Sequence, residues 1–513
     1  MTKLLDTLQN NLKKYSDKEL LVSLVENRSW TGAELAGTIE QTRKILSEAK
    51  IGADDVVVLA LSNTALYPIL EQALWELGAV PHPLAPSTPL PIIEAELAEY
   101  DYKSLIVDEG YAGIFVQDES FDNFSFTVDK IFVHFFVRKD KTPKFPSTRS
   151  EDDLALILNT SGTTGKPKRV GINFRKIWLA AQINMQAHHV DDTKTGLVIM
   201  PMFHVNAQIV STVTTRVAGG KLVIAEKFSA RRFWKDAADY QVDWTCVVPT
   251  IVKILVENQN SREEFEKYRG QIRLSFVKSS SFSLPENFIG AFEEDFGVRV
   301  MEGYGMTEAT TIVTVNPLDA AKIGSVGTSV GTEIKLYDLA KHEIFEDPNR
   351  AGEVVLKGPR VMESYMDPKP DSHVDGWFRT GDIGRFDEEH YLFIVGRIKE
   401  IINHGGEHVV PARVESVLSV VDFVKDVAVI GLPDSLYGEE VVAAVIADGN
   451  AGNQEEMREK LNARALETLA KHERPARYFF VEHFPLNPTG KVLREALAKE
   501  IQEELGKEAG KGA

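Results

Sequence analysis

Between Thr160 and Lys168 the chain reads TSGTTGKPK. The hydroxyls of Thr160, Ser161, Thr163 and Thr164, the glycines Gly162 and Gly165, and the cations Lys166 and Lys168 all fall in this stretch. Glycine lets backbone N–H groups come close to a ligand, and lysine adds point charge. The combination suits a polyphosphate; a polar surface turn after the apolar run Leu154–Leu158 fits the same residues equally well. A Walker loop is disfavoured. It needs a longer spacing between its glycines and a Ser or Thr after the lysine, whereas Pro167 follows Lys166 here.

Other clusters carry chemistry at lower density. EGYGMTE, from Glu302 to Glu308, reads as a loop whose Gly303, Tyr304 and Gly305 could close on a flat ligand. Thr307 and Glu308 could serve a hard cation, since Mg²⁺ prefers oxygen ligands and bridges phosphates; a solvated turn with an ordinary acid is the plainer reading. GWFRTGD ends at Asp382, which could accept from both ribose hydroxyls or be a turn aspartate. Arg397, in GRIK, offers a planar fork for ribose or phosphate oxygens, or is a solvated linker residue. Lys491 follows Pro488 and Gly490 on a constrained loop before a helix. His204, in PMFHVN, ends a strand and could line a pocket or be structural; the chain carries no HExxH zinc pattern.

The elements that must position these residues follow from composition and periodicity. The chain has 513 residues, enough for several domains, and its 43% hydrophobic content supports large cores. A net charge of −18 argues against nucleic acid or anionic membranes as partners. The one cysteine, Cys246, lies in an apolar run and rules out an intramolecular disulfide. No apolar run is long enough for a membrane span, and the N-terminus reads as an amphipathic helix rather than a signal peptide. Cytoplasmic residence is expected. Residues 1–150 suggest a parallel α/β layer, with strands at 54–61 and 78–84 around a helix at 65–77 and hairpin strands in 114–137. A second βα series runs to about residue 310 through LALIL, TGLVIM, GKLVIA, TCVVP and RLSFV. Residues 320–395 read as a β-rich, barrel-like subdomain, and 397–513 as a small α+β unit with a charged, fraying tail.

Taken in order, SGTTGKPK, EGYGMTE, FRTGD, GRIKEIINHGGEHV and NPTGK resemble the adenylate-forming superfamily of acyl-CoA synthetases, adenylation domains and beetle luciferase, from about residue 20 to 497. The resemblance implies an α/β fold: a large N-terminal domain, residues 1–396, of two α/β layered subdomains plus a β-barrel-like subdomain, and a small mobile α+β C-terminal domain, residues 397–513, hinged near Lys399. It implies an AMP-forming carboxylate–CoA ligase using ATP, Mg²⁺ and coenzyme A; the alternative is an enzyme that loads the phosphopantetheine of a carrier protein. It assigns the β- and γ-phosphates to Thr160–Lys168, with Glu302–Gly305 as part of the ATP site and Tyr304 stacked on adenine. It gives Thr307 a phosphate contact, Glu308 the metal, Asp382 and Arg397 the ribose, and Lys491 adenylation. His204 falls to catalysis at the acid pocket, and Gly405, Gly406 and Glu407 to CoA. Monomers or homodimers are expected.

Three departures bear on these assignments. The turn Ser279–Pro285 replaces the family's Gly- and Ala-rich one, and Phe282 either narrows the acid pocket or faces the core. His472-Glu473-Arg474-Pro475 stands where the family has Tyr-Lys-x-Pro, so Glu473 weakens the case for CoA unless Lys471 or Arg474 substitutes. Arg169 stands where Gly is common. No residue matches the aspartate with which adenylation domains hold an amino group, as Trp178 or Phe203–His204 occupy that region; His204, Asn206 and Gln208 suit a short or functionalised acid without an α-amino group, or equally bound water.

Overall fold

The computed structural model describes residues 2–129, 131–140, 149–160, 168–281, 284–367, 372–448, 453–486 and 491–511. Ser161, Gly162, Thr163, Thr164, Gly165, Lys166 and Phe282 lie outside the described residues.

The βα series builds a nine-stranded sheet. Its parallel centre runs through Arg299–Gly305, Phe276–Ser279, Trp244–Val247, Thr195–Val198, Lys221–Ile224 and Glu19–Ser23. These strands are apolar on both faces, as a sheet covered by helices requires. Two expectations change here. Glu19–Ser23 and Arg28–Thr31 do not join the first layer but extend this sheet's edge. LALIL is not in it at all: Leu154–Thr160 pairs only with Lys168–Asn173, as an antiparallel hairpin. A short apolar run looks the same in either setting.

The first layer is a five-stranded sheet in which Val56–Ala60 lies parallel to Val80–Pro83 and Tyr102–Val107, and the Phe121–Val128 and Ile131–Arg138 hairpin completes it. The β-rich part is a six-stranded antiparallel sheet in which Trp377–Phe386 pairs with three partners. The hairpin covers one face of it without pairing; Leu156, Leu158, Val170 and Ile172 share a core with Leu336, Val354, Leu356 and Phe378. That packing gives the barrel-like enclosure.

The small domain is a five-stranded sheet centred on Val424–Asp434 and Gly438–Ala447. Pro411–Leu418 and Gln454–Thr468 cover one face. The charged tail does not fray from its start: Arg494–Lys511 is a helix, and Leu497 and Ile501 are buried against the other face beside Ile430 and Val442. Their spacing sets an apolar stripe inside a charged segment.

Candidate active site

Asp382 sits in the middle of the Trp377–Phe386 strand rather than in a turn. Its side chain is buried. Strand register places it opposite Arg397, whose Nε lies 2.7 Å from its Oδ1. The Tyr304 hydroxyl donates to its other oxygen at 2.6 Å. Both carboxylate oxygens are thus engaged from opposite sides, which fixes the plane of the acid. Three residues that the sequence separates by up to 93 positions converge here because the antiparallel hairpin brings 382 to 397 and the parallel sheet ends at 304.

EGYG is strand, not loop: it closes Arg299–Gly305. Its glycines answer to a neighbouring strand. A Cβ on Gly305 would lie 2.4 Å from the Thr311 carbonyl oxygen, and one on Gly303 2.9 Å from that of Thr314. Glu302 is buried, and burial raises its carboxyl to about 7, with the Leu284 N–H working against that and Glu286 adding to it. It therefore faces the turn before the Glu286–Phe296 helix, and its Oε2 has no partner among the described residues.

Thr307 and Glu308 form one turn of 3₁₀ helix, ended by Thr310 at φ 69°. Glu308 Oε1 accepts from the Tyr365 hydroxyl at 2.8 Å, and Lys168 Nζ lies 4.3 Å from the Tyr365 ring centre. Tyr365 thereby joins the exit of the Thr160–Lys168 segment to Glu308. Burial raises the Glu308 carboxyl; its own N–H, Tyr365, Lys168 and Arg397 pull it back. Among the described residues no group of three or more acids, histidines or cysteines could cage a metal. That fits Mg²⁺, which takes one or two carboxylates and completes its shell with phosphate oxygens and water. Thr160 pairs with Lys168, so the intervening loop leaves and re-enters one hairpin. Arg169 is no ligand there: its guanidinium bonds Asp367 at 2.9 and 3.1 Å and stacks on Tyr100, pinning the exit strand.

From the small domain, Lys491 reaches the same place. Its Nζ lies 3.5 Å from Glu400. Burial lowers its affinity for a proton, Arg397 lowers it further, and Glu400 and Asp382 oppose both. Lys491 is therefore within electrostatic reach of the Tyr304–Asp382–Arg397 cluster. Glu400 also holds Arg494 at 3.3 Å, and Arg494 bonds Glu415 at 2.6 Å. Burial pushes Glu400 up, but Lys491, Arg494 and Arg397 outweigh it and hold the carboxyl below its usual range. Lys399, in the Ile398–Glu400 turn between the two domains, is exposed.

His204 precedes a π-helix, Asn206–Val213. Burial lowers its imidazole to about 4, so it is neutral at pH 7, and its Nε2 has no partner among the described residues. Asn206 Nδ2 donates to Ser280 Oγ at 3.3 Å, while Asn206 Oδ1 and Ser279 Oγ are buried without partners among the described residues. Gln208 lies beside Glu71, whose carboxyl burial raises to about 8, and both its amide Nε2 and Oε1 are without hydrogen-bond partners among the described residues. Gly405 and Gly406 form the exposed turn of the Ile402–His404 and Glu407–Val409 hairpin at φ 63° and 90°, and Glu407 is exposed beside them. They do not meet the Asp382 cluster. Glu473 is already committed, to Arg413 Nε at 2.7 Å and the Ala470 N–H at 2.9 Å.

Tyr365, Glu400 and Arg494 are the functional neighbours that motif reading missed. Each is an ordinary residue in sequence, and none sits at a diagnostic spacing.

Residues 8–366 match the family model described as AMP-binding enzyme, and residues 413–491 that of the AMP-binding enzyme C-terminal domain. The chain is 33% identical over 519 residues to the oxalate–CoA ligase of Arabidopsis thaliana, covering 97% of this chain and 98% of that protein. It is 34% identical over 351 residues to the sulfoacetate–CoA ligase of Cupriavidus necator, covering 67% and 66%. Its fold is similar to that of ATP-bound MatB from Rhodopseudomonas palustris, with a TM-score of 0.84 at 24% identity over 98% of this chain and 99% of that one.

Proposed function

The chain belongs to the AMP-binding enzyme family, and from that premise we propose that it activates a short carboxylic acid bearing a second acidic group. It is an AMP-forming acid–CoA ligase. A carboxylate oxygen of the acid bonds to the α-phosphorus of ATP as the bond to pyrophosphate breaks. The sulfur of CoA then attacks the acyl carbon and AMP leaves. The substrates are the acid, ATP and CoA.

The roles of individual residues are part of the proposal. Asp382 and Arg397 take the ribose hydroxyls, and the Tyr304 ring lies under adenine. Thr160–Lys168 enfolds the β- and γ-phosphates, and Thr307 contacts phosphate. Glu308 would hold Mg²⁺, whose charge offsets that of the phosphates. Lys491 supplies positive charge where anionic acid and anionic phosphate meet, and it acts through electrostatic complementarity to the transition state. The domain boundary falls at 396/397. Rotation near Lys399 carries Lys491 off and admits the thiol past Gly405–Glu407. Glu473, tied to Arg413, adds no loose negative charge that would oppose CoA. Cytoplasmic residence, as a monomer or homodimer, completes the reading; no described helix is long and apolar enough to cross a membrane.

The acid class rests on one observation above all. The entry to the π-helix holds buried polar atoms without partners among the described residues, on His204 and Asn206. Buried polar groups are ordinarily paired, so an alkyl tail would be a poor occupant and a small polar acid a good one. The names of the two curated relatives, with oxalate and sulfoacetate, agree. AMP release measured over an acid panel, with and without CoA, tests this. Preferential turnover of amino acids or fatty acids would overturn the acid class. AMP formation that needed a carrier protein instead of CoA would replace the acceptor.

A further inference from the structure

Lys278 is 2% exposed. It lies in the Phe276–Ser279 strand, in register with Cys246 on one neighbour and Met301 on the other. Alternate residues of a strand share a face, so Lys278 and Ser280 point the same way. Ser280 meets Asn206 at the start of the π-helix, and Cys246 interacts with the Ser211 hydroxyl further along it. Lys278 therefore faces a seam between the sheet and the π-helix. Gly303 lies beside it: a Cβ there would be 3.4 Å from Lys278 Cε, an ordinary contact distance. The side chain thus runs past the glycine of EGYG.

Among the described residues no carboxylate meets this cation. Burial and the Cys246 thiol are what act on its titration, and no acid among the described residues does. The chain carries 76 acidic residues against 58 basic ones, so a counter-charge was available to it. Burying an ammonium group without one is costly, and a leucine or methionine would fill the same space without that cost. A lysine in this position is explained if the missing anion arrives with the substrate. Asn206, bonded to Ser280 just past the strand, keeps its Oδ1 without a partner among the described residues, which marks the same seam as built for a polar guest.

We propose that Lys278 selects the acid by pairing with its second anionic group, a carboxylate or sulfonate, across the seam between the Phe276–Ser279 strand and the π-helix. The proposal rests on the diacid reading above. The activated carboxylate stays at the Lys491 side, and Lys278 holds the distal group. An acid without that group leaves the lysine unpaired.

ATP–pyrophosphate exchange tests it with oxalate, malonate and sulfoacetate, their neutral isosteres such as oxamate and malonamate, and acetate and propionate. The wild-type enzyme is expected to favour the diacids over their neutral isosteres by 100-fold or more in kcat/KM. Lys278→Met is expected to collapse that ratio through the KM of the diacid, with the KM for ATP unchanged. Lys278→Arg is expected to retain the preference. An undiminished diacid preference in folded Lys278→Met would overturn the role of Lys278 and leave the diacid reading standing. So would a wild-type enzyme that favours diacids over acetate but accepts oxamate as readily as oxalate, a result that needs no variant to fold. Better turnover of acetate or propionate than of every diacid would bring down the substrate reading and Lys278 with it.

Discussion

The two ends of the proposed active site, nucleotide and acid, are built on opposite principles. At the nucleotide end every named charge is answered: Asp382 by Arg397 and Tyr304, Glu308 by Tyr365, Lys491 by Glu400. At the proposed acid end His204 Nε2 and Asn206 Oδ1 stand without partners among the described residues. A network satisfied within the protein is rigid before ligand arrives and favours geometry over choice. An unsatisfied set gains its partners only from the right ligand, and so favours discrimination. The acids named for the two relatives, oxalate and sulfoacetate, differ.

Breaking the paired end should cost most. Lys491→Ala is expected to lower ATP–pyrophosphate exchange by roughly 10²–10³-fold, the scale of a lost electrostatic contact to a transition state. Thiolysis of supplied acyl-adenylate should survive; equal loss of both half-reactions would mean that Lys491 is structural. Asp382→Asn should raise the KM for ATP by about 10–100-fold, as a charged hydrogen bond is worth about 1.5–3 kcal/mol. An unchanged KM would remove Asp382 from the ribose site.

Two paired positions of neighbouring strands, Glu302 and Ser279, also hold side-chain oxygens without partners among the described residues, and they should respond to pH and to truncation in stability. Glu302 is raised to about 7, so its folded form favours the proton. Its contribution to stability is present below the ordinary carboxylate range and is lost as pH rises through 7. Glu302→Gln should therefore gain on wild type by about 2 kcal/mol between pH 5 and pH 8, read as a melting-temperature difference. A difference that stays flat with pH would show that Glu302 is not held protonated. Ser279→Ala should be the mildest, within about 1 kcal/mol of wild type and on the stabilising side, since it deletes a hydroxyl that no described residue satisfies. A loss of several degrees would mean the hydroxyl has a partner.

The same division governs what the sequence discloses. Asp382, Arg397, Glu308 and Lys491 stand out because each sits in a short motif with glycine, proline or aromatic neighbours. Their partners do not. Tyr365 meets Glu308 from 57 positions away and Lys491 meets Glu400 across 91, and nothing local marks either contact. Lys278 is hidden for a different reason: its meaning comes from what is missing around it, and a missing counter-charge is a property of three dimensions. Local reading also fails where one pattern has two outcomes. The apolar run at Leu154 serves a hairpin as well as a parallel sheet, and EGYG serves a tightly packed strand as well as a loop. The charged tail concealed Leu497 and Ile501, whose spacing was visible but outvoted by composition.

The π-helix at Asn206–Val213 carries a consequence for descent. Its wider turn, in which the Thr214 N–H reaches back to Ile209 O, is what an α-helix becomes when one residue is inserted. Point substitution changes one wall of the acid seam at a time. A single-codon deletion within these eight residues would instead restore the α-helical phase and turn Asn206 relative to Ser211 and everything after them. The seam's chemistry is thus inherited as a reading of helix phase, and a lineage could exchange one acid for another in a single step of length rather than many steps of composition.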